Sequence, residues 1–115
     1  MTGNASVLSG ELSPAVVALR ASVGEASQFL KKLSNPDRLL VACALVDGEL
    51  SVRQLEDLLG IRQPGLSQQL AELRTAGLIE GRKEGREVFY HLADPRVRAF
   101  MSTMHQLFCA PSPAS

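Results

Sequence analysis

A mainly helical domain carrying one β-hairpin, the winged helix-turn-helix arrangement, is predicted by three observations. Apolar residues recur at helical spacing in five segments. A short helix, a tight turn at Gly60 and a second short helix stand in tandem, and two β-prone runs with a glycine between them follow directly. The 115 residues, 45% hydrophobic and 21% charged, suffice for one small core and leave no room for a separate catalytic domain.

The ends, residues 1–11 and 110–115, are small and polar or proline-bearing and are expected as flexible tails around a domain spanning 12–109. Ser13 followed by Pro14 makes a cap and a first-turn proline. Beyond them Val16, Leu19, Val23, Ala26, Leu30 and Leu33 alternate in spacing between three and four, the seam of a helix that packs along another helix. That seam points to a dimer surface. A second helix opens at Ser34-Asn35-Pro36 and stops near Asp47-Gly48, with Leu39, Leu40, Cys43 and Val46 expected on one packed face. The third starts at Ser51, where Ser-Val-Arg-Gln is a capping box, and is expected to bury Leu55, Leu58 and Leu59 before Gly60. In the fourth, Pro64 falls in the first turn, Leu66, Leu70 and Leu73 form the apolar face, and Gly77 ends it. Leu78–Arg82 and Glu87–Leu92 then flank Lys83-Glu84-Gly85-Arg86 as a hairpin. Asp94 and Pro95 start a last helix whose stripe is Val97, Phe100, Met101, Met104 and Phe108.

Twelve basic and twelve acidic residues cancel, so any nucleic-acid footprint must come from local arrangement. A helix entering the major groove must bury one face and offer amides and hydroxyls from the other. Gln63, Ser67, Gln68, Gln69 and Arg74 do so on the fourth helix, although a solvated polar face has the same composition. Arg82, Lys83 and Arg86 cluster at the hairpin tip, where they can grip phosphates, although Glu84 and Glu87 interrupt them as in an ordinary solubilising turn. The hairpin follows the helix at the spacing a wing needs, so the two features reinforce one another. No apolar run reaches membrane-span length and no basic-then-apolar leader opens the chain, so a cytoplasmic location is expected.

The runs Leu33-Ser34-Asn35-Pro36-Asp37-Arg38-Leu39-Leu40, Gln63-Pro64-Gly65-Leu66-Ser67-Gln68-Gln69-Leu70 and Leu73-Arg74-Thr75-Ala76-Gly77-Leu78-Ile79, with the wing Gly81-Arg82-Lys83-Glu84-Gly85-Arg86 and Tyr90, resemble the ArsR/SmtB family of repressors. The resemblance covers roughly residues 13–109. It implies a homodimer through the first and last helices that binds an imperfect operator palindrome in double-stranded DNA and leaves it when an inducer arrives. Gly65 departs from the small, often hydroxylated side chain that the family tends to carry there.

Many members of that family sense metals. The thiolate pattern needed on the helix before the reading helix is missing, since Ser51 and Arg53 stand there. On the last helix Asp94 and His105 are the only candidates, and His91 reads as a structural strand residue; no metal and no cofactor is expected. Cys43 on the second helix and Cys109 near the end of the last resemble the thiol pair of the BigR/SqrR subgroup of persulfide-responsive repressors. The resemblance implies that reactive sulfur species link Cys43 to Cys109 by a disulfide or polysulfide and release the DNA. His105, four residues before Cys109, shares its face, where an imidazolium would favour the thiolate. A general thiol-oxidant sensor and a metal- or haem-responsive repressor of the same fold are the alternatives. An enzyme is not expected, because His105 beside Cys109 supplies at most one part of a thiol-enzyme site. A dimeric interaction module without DNA affinity would fit the neutral total charge.

Overall fold

The computed structural model describes residues 12–109; the two expected tails, 1–11 and 110–115, lie outside the described residues. The described elements are α1 (Pro14–Leu33), α2 (Pro36–Ala44) with a 3-10 turn (Leu45–Asp47), β1 (Leu50–Ser51), α3 (Val52–Leu59), α4 (Gly65–Thr75), β2 (Ile79–Glu84), β3 (Glu87–Leu92) and α5 (Pro95–Phe108). They fall into two compact units, one ending at Lys31 and one beginning at Lys32. The fold is the mainly helical winged helix-turn-helix, with five helices among the described residues. No described helix is long and apolar enough to cross a membrane.

The described residues of the first unit form α1 as far as Lys31, a helix that opens where Ser13 Oγ accepts the Val16 amide. Its apolar seam has no cover within the unit: Val16 is 42% exposed, Val23 51%, and Leu19 and Leu30 are similar.

In the second unit the helix starts are fixed by short polar side chains. Asn35 Oδ1 accepts the amides of Asp37 and Arg38 at 2.9 and 3.1 Å to start α2. Buried Ser51 is satisfied by a reciprocal capping box, its Oγ accepting the Gln54 amide while its own amide donates to Gln54 Oε1. Gly60 ends α3 in the left-handed region at φ 69°, and Gly77 turns the chain out of α4 at φ 79° while Leu78 N donates back to Leu73 O.

The core of this unit combines Leu33, Val41, Ala42, Leu45, Leu55, Leu66, Leu70, Leu73, Leu78, Ile79, Tyr90, Val97 and Met101. Several expected core positions are corrected. The packed face of α2 and its 3-10 extension is Val41, Ala42 and Leu45, whereas Leu40 is exposed and Leu39, Cys43 and Val46 are half-buried. The reason is that α2 packs on α4, α3 and α5 in turn, so neighbours on several sides define its buried strip. On α3 only Leu55 is buried and Leu58 is 64% exposed, because eight residues bury little beyond one face. Along α5, Val97 and Met101 are buried while Phe108 is exposed.

The wing is longer than expected. Strand β2 runs to Glu84 and pairs antiparallel with β3 from Ile79↔Leu92 to Glu84↔Glu87, leaving Gly85-Arg86 as the turn, with Gly85 at φ 62°. A third strand, β1, pairs with β3 through Leu50↔Tyr90 and Ser51↔Phe89, giving the order β1-β3-β2. Two residues are too few to show an alternating pattern, so this strand was not legible as such.

Candidate nucleic-acid interface and thiol pocket

The reading helix α4 turns Leu66, Leu70 and Leu73 into the core and leaves Ser67, Gln68 and Arg74 exposed on the other side. The glutamines flanking this set are held by the protein itself. Gln63 Oε1 accepts the Ser67 amide at 2.9 Å, doing the capping that Pro64 cannot, since Pro64 precedes the helix and has no acceptor side chain. Gln69 is half-buried, and its Oε1 accepts from Arg38 Nη1 at 2.8 Å. Arg38 Nε also donates to the Lys32 carbonyl at 2.6 Å, and Lys32 pairs with Glu72 of α4 at 2.7 Å. The Lys32 bond keeps the Glu72 carboxyl below its ordinary value. Arg38 and Lys32 thus lash α4 to α2 and to the end of α1. At Gly65 an added Cβ would meet nothing within 4 Å, so packing does not demand the glycine there.

On the wing, Lys83 and Arg86 are exposed, whereas Arg82 is engaged on three sides. Its Nε lies 2.9 Å from both Glu49 carboxylate oxygens, its Nη1 donates to Glu84, and its guanidinium lies 4.9 Å from the centre of the Phe89 ring. These hydrogen bonds, Glu49's first, raise the Arg82 pKa further above the ordinary arginine value, and the same bond draws Glu49 down. His91 stands beside the group, 3.7 Å from Glu49 and 3.3 Å from Glu80. Glu49, separated from Arg82 by 33 positions, carries no signal that a reading of the sequence would connect with the wing.

The two thiols are free. Cys43 is half-buried, with Sγ 3.3 Å from His105 Nε2, and it opens onto a pocket of about 400 Å³ lined also by Val46, Asp47, Arg98 and Met101. The expected core-facing position of Cys43 is corrected accordingly. Arg98 Nη1 donates to the Val46 carbonyl, pinning α5 to the 3-10 turn beside the pocket. Cys109 is exposed, and its amide donates to the His105 carbonyl at 2.8 Å. The imidazole therefore meets the thiol of α2, a contact between residues 62 positions apart that helical spacing does not reveal. Asp94 caps α5 by accepting the Arg96 amide at 2.9 Å and pairs with the Arg96 guanidinium, which holds its carboxyl below the ordinary range. Among the described residues no three His, Cys, Asp or Glu side chains gather as a metal-binding group.

Residues 35–81 match the sequence model of the arsR family of bacterial regulatory proteins. The biofilm growth-associated repressor of Agrobacterium fabrum is 43% identical over 102 residues, which span 89% of this chain and 86% of that protein. The crystal structure of the transcriptional repressor BigR from Xylella fastidiosa superposes with a TM-score of 0.79 at 39% identity, over 82% of this chain and 96% of that one. Reduced HlyU from Vibrio cholerae superposes with a TM-score of 0.75 at 40% identity, over 81% and 98% of the two chains. The chain therefore belongs to the arsR family of bacterial regulatory proteins, as a DNA-binding transcriptional regulator and not an enzyme.

Proposed function

We propose that this protein represses transcription as a homodimer on operator DNA and releases it when a persulfide or polysulfide links Cys43 to Cys109. The observation that carries the reading is His105, whose ring contacts the Cys43 sulfur while its carbonyl holds the Cys109 amide, so one residue of α5 touches both cysteines. The Agrobacterium and Xylella relatives are repressors. Ser67, Gln68 and Arg74 are the groups offered to base edges and adjoining phosphates, Lys83 and Arg86 grip phosphates beside the groove, and Gln63, Gln69 and Arg82 hold helix and wing in position. The uncovered apolar seam of α1 supports the dimer.

The bridge forms by two displacements. Cys43 thiolate attacks the outer sulfur of a hydropersulfide R–S–SH, giving Cys43–S–SH and the thiolate RS⁻, which takes up a proton. Cys109 thiolate then attacks the Cys43-bound sulfur and expels hydrosulfide, leaving a disulfide. When Cys109 already carries a persulfide, its terminal sulfur makes the same attack and leaves a trisulfide. Two thiols are oxidised and the sulfane sulfur is reduced to hydrosulfide.

Operator binding is measured for the wild type and for Cys43→Ser and Cys109→Ser, before and after polysulfide, with intact masses taken in parallel. The wild type is expected to lose DNA as its mass shows an intramolecular link, while both variants stay bound. Release of either variant by polysulfide overturns the bridge. Peroxide and a low-molecular-weight disulfide, run alongside, identify which oxidant class drives the link.

A further inference from the structure

We infer that Cys43 is the thiol that attacks first and that His105 is the positioning residue that accepts its proton, with the neighbouring pocket receiving the sulfur donor. The inference rests on the proposed thiol switch and assigns its order of events. Cys43 Sγ and His105 Nε2 are 3.3 Å apart, hydrogen-bonding distance for a sulfur donor. With Nε2 unprotonated, the ring accepts the S–H proton, leaving a thiolate beside an imidazolium. Cys109 makes no such contact through its sulfur among the described interactions, and its tie to His105 is through the backbone.

The surroundings suit the chemistry. The charged groups that face Cys43 are His105 and Arg98 from α5 and Asp47 from the 3-10 turn. Arg98, tethered to the Val46 carbonyl, keeps a guanidinium at the wall of the pocket, where the departing thiolate RS⁻ finds a charge-assisted partner. The volume of about 400 Å³ admits a small hydropersulfide. In the step itself the Cys43 S–H bond breaks to Nε2, the sulfur lone pair forms the new S–S bond, the donor's S–S bond breaks, and the departing RS⁻ recovers the proton from the imidazolium. No further oxidant enters.

Exposure alone ranks the thiols the other way, since Cys109 is exposed and Cys43 half-buried. Iodoacetamide alkylation of the reduced full-length protein at neutral pH, followed peptide by peptide by mass spectrometry, separates the two orders. In a Cys109→Ser background, His105→Gln and His105→Ala are expected to slow Cys43 alkylation at least about tenfold, because rate follows thiolate fraction. Added imidazole is expected to restore much of the rate to His105→Ala, which repair of packing would not do. In a Cys43→Ser background the same substitutions leave Cys109 alkylation within about twofold. The inference is overturned if Cys43 alkylates at the same rate with and without His105, or if Cys109 is the thiol that slows. The assay contains neither DNA nor a sulfur donor, so its result is independent of the bridge: release of Cys43→Ser by polysulfide defeats the bridge alone, and an unchanged alkylation rate defeats only the role of His105.

Discussion

Side chains that act within three or four positions of themselves were legible in the sequence. Ser13, Asn35, Ser51 and Asp94 each cap the helix they precede, because a short acceptor reaches only the amides just ahead of it. Side chains that act across the fold were not. Gln69 reads as a groove-facing amide until Arg38 is found on it, and Cys43 reads as a core residue until His105 is found on it. Gly81 belongs to the same class. It lies opposite Tyr90 in the wing, and a Cβ there would stand 2.9 Å from Tyr90 Cε1 and 3.2 Å from Val88 Cγ1. Tyr90 is buried and paired with both flanking strands, so its ring has little room to retreat. Gly81→Ala is therefore expected to destabilise the fold by about 1–3 kcal/mol, read from the midpoint of denaturant unfolding; an unchanged midpoint would show that the ring moves freely.

At the level of elements, the wing divides its cations between two tasks. Arg82 binds Glu49 at the foot of β1, closing the third strand against the hairpin, while Lys83 and Arg86 remain exposed. Because the Arg82 hydrogen bond depresses Glu49, the contribution of this tie is complete above the unfolded carboxylate value and is lost as pH falls through the lower folded one. The free cations are expected to govern the response to salt. Replacing both Lys83 and Arg86 by Ala should reduce the slope of log affinity against log salt by about one for each phosphate contact removed, with little change in preference among operator sequences. Fluorescence titration across a salt series checks this, and an unaltered slope would remove the wing tip from the interface. The hairpin itself was legible from its glycine and its β-prone runs. Its full length was not, because Lys83 and Glu84 carry no β preference and enter the ladder only by pairing with Val88 and Glu87.

For the whole molecule, the proposed dimer gives the exposed apolar seam of α1 its cover. A symmetric interface uses each seam residue twice, so introducing a charge at Val23 is felt at two places in one dimer. Val23→Glu is expected to weaken self-association by roughly 3 kcal/mol, about 100-fold in Kd, and to lower operator affinity with it. Sedimentation at several concentrations would report the shift, and a dimer of unchanged strength would place the interface elsewhere. The spacing of the seam was legible from the sequence alone, since its periodicity is a property of one helix. The Arg38 fork has a mechanical meaning at this scale. It welds α2 to α4, and Cys43 lies five residues farther along α2, a rise of about 7.5 Å. The pair is, on the proposed bridge, a crank with the thiol on one arm and Ser67 and Gln68 on the other. On the proposed bridge, covalent chemistry at the thiol arm swings the reading face by changing its angle, so the DNA is let go while every turn of the reading helix stays wound.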